Sequence, residues 1–151
     1  MIRRSGADEA ETHRAVQRDA CLTGLAHIFP PDLYPFPDDE VLRRWRDFAG
    51  VVLVAERDGA TVGIAGVEAC WLHGFYVVPE WWGSGVADEL HDAALQSMPD
   101  CPELHLWVLE ENHRARRFYE KRGWRENGDT RVVPFPPHPL DVGYSYVREE
   151  P

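Results

Sequence analysis

Residues Phe75 to Leu90, FYVVPEWWGSGVADEL, constrain this chain more than any other stretch. An apolar strand runs into a loop carrying Gly83 and Gly85. That loop opens an amphipathic helix in which Val86, Leu90, Ala94 and Met98 recur every four residues. The start of such a helix leaves backbone N–H groups free, here at Gly83, Ser84, Gly85, Val86 and Ala87, and the helix dipole adds to their positive character. Glycine also lets an anion reach a backbone that a side chain would screen. The stretch therefore predicts a phosphate- or diphosphate-binding loop. A P-loop is excluded because the chain contains no Gly-Lys pair, and a Rossmann fingerprint because the third glycine is missing and the loop comes late.

Around this loop the pattern reads β-α-α-β-β-β-α-β-α-β-β. Ile2 to Ser5 suits a short strand, and Ala7 to Ile28 a helix with Leu22, Leu25 and Ile28 on one face. Pro30, Pro31, Pro35 and Pro37 interrupt regular structure before a helix over Asp38 to Ala49. Strands are expected at Val51–Glu56, Thr61–Ala69 and Trp71–Val78, the first two joined through Asp58-Gly59. The second turn falls at Gly66 or within Glu68–Cys70. A helix over Gly85–Met98, a strand over Glu103–Leu109 and a helix over His113–Arg122 follow. A strand near Trp124, a proline-rich loop and a last strand over Val142–Arg148 end the series. Consecutive strands imply antiparallel neighbours, and strand-helix-strand a parallel crossover. The fold class expected is α/β: a mixed, twisted, mostly antiparallel sheet with helices on both faces, in a single domain over 1–151.

Composition narrows the partners. The chain has 26 acidic and 16 basic residues, a net charge of -10, which argues against nucleic acid or an anionic membrane surface. No apolar run reaches the ~20 residues of a spanning helix, and the start has no signal-peptide core. Cys21, Cys70 and Cys101 form no CxxC pair, so a reduced, cytoplasmic protein without a structural metal is expected.

A second motif lies downstream in LWVLEENHRARRFYEKRGW, Leu106 to Trp124. Together with the glycine loop it resembles the GNAT acyltransferase superfamily over nearly the whole chain. Trp82-Gly83-Ser84-Gly85-Val86-Ala87 falls on the family's coenzyme A diphosphate loop, and Asn112, Ala115, Phe118, Tyr119, Glu120, Gly123 and Trp124 fall in register with its later signature. One departure is plain: Trp82 and Asp88 stand where basic, amide or small residues are usual, so phosphate binding rests on backbone amides. Arg114, Arg116 and Arg117 are candidates for the adenosine 3′-phosphate or for a solvated helix face.

The resemblance implies acetyl-CoA as cofactor, no metal, and a central β-α-β unit that binds it. Pantetheine would lie along the backbone of Phe75, Tyr76 and Val77, with the diphosphate at Gly83, Ser84, Gly85, Val86, Ala87 and Asp88. Asn112 would bind pantetheine or the diphosphate region, or cap its helix. Tyr119 fits the family's general acid, or packs its helix as Phe118 does. The base is harder to place. Relatives carry carboxylates at the positions of Trp71 or Trp107, and no acid occurs from Trp71 to Val78. His73, on a strand face shared with Trp71 and Phe75, takes that role, with Glu68 and Glu110 in reserve. Alternatively it is a histidine satisfied within the sheet.

Acceptor contacts are expected from the proline loop and its neighbours, His27, Phe29, Tyr34, Phe36 and Trp45, and from the loop Pro134–Pro139; the alternative is that these aromatics only pack the loops down. The activity implied is transfer of acetyl to a primary amine of a small molecule or peptide, by direct attack in a ternary complex. A non-catalytic acyl-CoA-binding or regulatory module is the competing expectation. A homodimer is left open as the assembly.

Overall fold

A computed structural model describes residues 1–6 and 8–148. Strands β1 (Ile2–Arg4), β2 (Val51–Arg57), β3 (Ala60–Glu68), β4 (Trp71–Val77), β5 (Glu103–Leu109), β6 (Arg125–Val132) and β7 (Leu140–Val147) form one sheet in the order β1-β2-β3-β4-β5-β7-β6. Every pairing is antiparallel except β4 with β5. Helices α1 (Ala10–Gly24) and α2 (Asp38–Arg46) precede the β2–β3 hairpin, α3 (Val86–Gln96) links β4 to β5, and α4 (His113–Lys121) follows β5. The mixed sheet with helices on both faces is as expected.

Alternation along the strands explains the two layers. In β5, Leu104, Leu106 and Val108 are buried with Leu90 and Ala94 of α3, while His105 and Trp107 point the other way. In β2, Leu53 and Ala55 join that same cluster. Val52 and Val54 instead meet Ile64, Val16 of α1 and the rings of Trp45 and Phe48. Asp58 and Gly59 both take positive φ, as a two-residue hairpin turn requires.

Four details differ from the sequence reading. First, α1 begins at Ala10, because the Glu9 carboxylate is drawn back onto the Gly6 N–H (2.5 Å) and the Arg3 guanidinium (2.7 Å). Ala7, the expected helix start, lies outside the described residues. Second, α1 stops at Gly24, so its buried face is Ala10, His13, Val16 and Ala20 rather than Leu22, Leu25 and Ile28. Third, β6 runs through RENGDTRV, every residue of it exposed, held as an edge strand by β7 alone. Fourth, Cys70 and Cys101 form a disulfide and only Cys21 is free, which corrects the reduced state expected for all three. The parallel pairing of Trp71 with His105 brings the entries of β4 and β5 together, and the cysteines sit at those entries.

Two buried imidazoles make the fold sensitive to acid. His91 is 2% exposed and its Nε2 accepts a hydrogen bond from Trp124 Nε1 at 3.0 Å. Burial holds both His91 and His13 below the ordinary value of 6.5. The unfolded chain therefore takes up protons first, and stability should be lost as pH falls through 6.5 toward the lower folded values. Glu9, held at about 2 by Arg3 and Gly6 against an ordinary 4.5, extends the loss further into acid. Thermal melts between neutral pH and pH about 5 check this. A midpoint that does not move would assign the two histidines no part in it.

Candidate active site

The site is built where β4 and β5 separate. Their ladder contains two pairs, Trp71 with His105 and Leu72 with Leu106, reinforced by the His105 N–H donating to Cys70 O at 2.9 Å. Beyond Leu72 the edge of β4 that faces β5 has no ladder partner. A wedge opens there, closed at its narrow end by the disulfide.

Within β4 the register against β3 shifts. Val67 pairs with Leu72 and Gly66 with Gly74, so His73 is the extra residue of a β-bulge. Leu72 lies in the core beneath α3. Phe75 is half-buried and packs against that core, beside the rings of His91 (6.5 Å), Phe118 (5.5 Å) and Tyr119 (6.3 Å). His73 and Gly74 both turn to the α1–α2 layer: the His73 ring is 5.7 Å from Phe48, and a Cβ on Gly74 would stand 3.0 Å from Trp45. The expected shared face of His73 and Phe75 is thus corrected; the bulge puts them on opposite sides of the sheet. Trp71 does stay with His73, at 6.2 Å. Glu68 Oε2 lies 3.9 Å from His73 Nε2, and both side chains are accessible to water.

At the wide end of the wedge a 3-10 turn, Pro79–Trp81, leads into the glycine loop. Gly83 and Gly85 adopt φ of +75° and +94°, and a Cβ on either would meet nothing within 4 Å. Glycine is used here for conformation, and the space above the amides is open. The Ser84 hydroxyl donates to Trp81 O at 2.5 Å and lies 3.4 Å from the Val86 N–H. Trp82 is pinned by Nε1 donating to Val77 O at 2.7 Å, and the Arg114 guanidinium stacks 3.5 Å from the centre of an indole ring. A cation from α4 thereby stands beside the position where the loop itself lacks one. Asp88 pairs with Arg122, and Arg116 is spent on Glu126, Tyr144 and the Glu110 carbonyl. Arg114 and Arg117 are exposed, as the solvated-face reading expects, with Arg114 also stacked on Trp82, whereas Arg116 is half-buried among its partners.

Tyr119 projects from α4 toward the wedge, 7% exposed, edge-on to Phe75 and to Trp124 at 6.0 Å. Burial pushes its phenol up, so it is protonated at neutral pH. Its hydroxyl makes no hydrogen bond among the described residues. Tyr76 turns to the opposite layer, where burial likewise raises its phenol, with Cys21 and Tyr119 close enough to contribute. Asn112 caps α4, its Oδ1 accepting from the Ala115 N–H at 3.3 Å.

The expected acceptor residues divide. His27 Nε2 lies 2.8 Å from Glu111 O, tying the loop after α1 to the loop before α4. Phe29, Tyr34 and Phe36 are half-buried in the proline loop. Trp45 packs over Gly66 and Gly74 and donates to Gln17 Oε1 at 2.7 Å, which is a role in joining α2 to the sheet. The far proline loop reaches α2 through Phe135, 4.7 Å under Arg44. Among the described residues no His, Cys, Asp and Glu side chains gather as a metal site would need, and no helix is long and apolar enough to cross a membrane.

A family model described as the acetyltransferase (GNAT) family matches residues 19–124, the span from the end of α1 through α4. The chain belongs to the acetyltransferase (GNAT) family. Among GNAT relatives, an uncharacterized N-acetyltransferase of Archaeoglobus fulgidus is 34% identical over 93 residues, 53% of this chain and 63% of the relative. One from Mycobacterium tuberculosis is 34% identical over 105 residues, 65% of this chain and 66% of the relative. The chain therefore spans less than two thirds of these curated relatives. Two solved structures show the same GNAT fold. Apo YjaB of Escherichia coli superposes with a TM-score of 0.77 at 24% identity, covering 97% of both chains. The PaiA N-acetyltransferase of Thermoplasma acidophilum, solved in complex with coenzyme A, gives 0.70 at 20% identity over 98% of both.

The loop's geometry makes a direct test available. Gly85→Val should raise the dissociation constant for coenzyme A at least tenfold, on the order of 1.4 kcal/mol, by isothermal titration. Gly59→Val is the control, because Gly59 has a similar φ of +78° in open space on the β2–β3 turn. Equal affinity in both variants would remove the loop from the binding site.

Proposed function

We propose that this GNAT protein is an N-acetyltransferase that moves acetyl from acetyl-CoA to a primary amine of a small molecule, by direct attack in a ternary complex within one domain. The observation that carries the reading is the wedge: an unpaired edge of β4 leading to a loop of open, left-handed glycines. Acetyl-CoA would supply the activated thioester. The β4 edge at Phe75, Tyr76 and Val77 offers pantetheine a strand-like partner, and the start of α3 offers the diphosphate amides at Gly83–Asp88. Asn112 and the Arg114 guanidinium line the opposite bank.

Acid and base then fall on opposite layers. Tyr119, from the α4 side, holds a proton for the departing thiolate. His73, turned to the α1–α2 side by the bulge, receives the amine's proton directly or through water, with the Glu68 carboxylate beside it to offset the imidazolium charge. An alkylammonium keeps its proton at neutral pH, so a nearby acceptor for it matters to the rate.

Free-thiol release from acetyl-CoA with a panel of amines tests the reading. Turnover with at least one amine is expected; tight coenzyme A binding with no release would favour the binding-module alternative. Given turnover, His73→Ala should lower kcat/KM while acetyl-CoA affinity stays intact. An unchanged kcat/KM in the variant would move the base to Glu68, Glu110 or the substrate.

A further inference from the structure

β4 and β5 each carry an indole on the face of the sheet to which His73 turns, and those indoles meet. Trp71 and Trp107 lie 6.1 Å apart with their planes 25° from parallel. His105 stands 5.2 Å from Trp71 on one side and His73 6.2 Å on the other, where Phe48 continues the row. Trp71, His73, His105 and Trp107 belong to neither buried cluster, and none is fully buried. Two tryptophans outside the core, side by side, are costly in water unless something covers them.

Their place in the fold says what does. Trp71 and His105 form a rung of the short β4–β5 ladder, His73 is the bulge, and Trp107 is the next residue of β5 on that face after the ladder ends. The row is thus the rim of the wedge on the side of the sheet to which His73 turns. Arg131 of β6, held by Asp141 at 2.9 Å, sits 4.6 Å from the Trp107 ring, so the far end is braced by a strand and not by a helix. At the near end stand His73 and the Glu68 carboxylate, complementary to an ammonium group.

We infer that this row is the acceptor platform, and that the acceptor is an arylalkylamine: its ring lies against Trp71 and Trp107 while its amine reaches His73 and the mouth of the wedge. The inference rests on the transfer reading and narrows its substrate class. Aromatic contact with such a surface adds to the gain from area burial, and a cationic amine gains from the indole faces as well.

The test uses 2-phenylethylamine against 2-cyclohexylethylamine, which matches it in size without a π face. Wild-type protein should favour the aromatic amine roughly three- to tenfold in kcat/KM, and Trp107→Leu should bring that preference close to one, with Trp107→Phe retaining most of it. Titration of tryptophan fluorescence with 2-phenylethylamine, read without turnover, should show saturable quenching that Trp107→Leu weakens. Equal use of the two amines, with the ratio unmoved in Trp107→Leu, would overturn the platform while leaving transfer intact. Quenching without thiol release from any amine would overturn transfer and leave the platform. A wild-type dimer that Trp107→Leu converts to monomer, by sedimentation, would give the row to a second copy and overturn the proposal.

Discussion

Tyr119→Phe should lower kcat roughly 10²- to 10⁴-fold while leaving the dissociation constant for coenzyme A near its wild-type value. The substitution removes one oxygen and keeps the ring that packs edge-on to Phe75 and Trp124. Packing is thus nearly conserved, and only the proton is lost. The raised phenol suits the task, since the group stays protonated at neutral pH and its hydroxyl has no partner among the described residues to distract it. Single-turnover release of free thiol, measured beside coenzyme A titration, separates chemistry from binding. A variant with wild-type turnover would reduce Tyr119 to an aromatic that seats α4.

Replacing Cys70 and Cys101 by serine should lower stability by about 3–4 kcal/mol, the chain-entropy value for a cross-link of this span, or roughly 10 °C in Tm. The bond joins residues 31 apart in sequence. It lies beside the only two rungs that hold β4 to β5, so few other contacts there would compensate. Reduction of the wild-type protein by a dithiol should reproduce the shift, read by thermal melts with and without reductant. A midpoint within about 2 °C of the oxidised protein would show that the ladder and the core carry that end of the wedge unaided.

How much of this could be read from the residues depended on whether the cause was local. The glycine loop and its helix were legible, because positive φ and a free helix start are properties of a few adjacent residues. The Asp58-Gly59 hairpin was legible for the same reason. The turn before β4 was harder: it places Ala69 and Cys70, not glycines, at positive φ, so its strongest signal was missing. β6 has no apolar alternation and exists because β7 offers it a ladder. The disulfide joins cysteines 31 residues apart through a parallel pairing that no spacing rule announces. Arg114 on Trp82 is a contact of the same kind, made between the two banks of the wedge. His73 was chosen for its chemistry, but its true neighbours could not be counted by twos along the strand. One unpaired residue changes the parity of everything after it.

That change of parity has a consequence for how such a protein could diversify. Trp71 and the extra residue, His73, face the α1–α2 side, where the acceptor is proposed to lie; downstream, Phe75 and Val77 face the core beneath α3. If the proposed platform holds the acceptor, substitutions in the first set would retune which amine is accepted without disturbing the packing beneath α3. Deleting the extra residue, by contrast, would restore plain alternation: Gly74 would keep its place against Trp45 and Phe75 its place beneath α3, and only the second side chain that the bulge adds to the α1–α2 side would be lost. The bulge thus gives this face of β4 a side chain that a regular strand would not have, at no cost to the residues packed beneath α3.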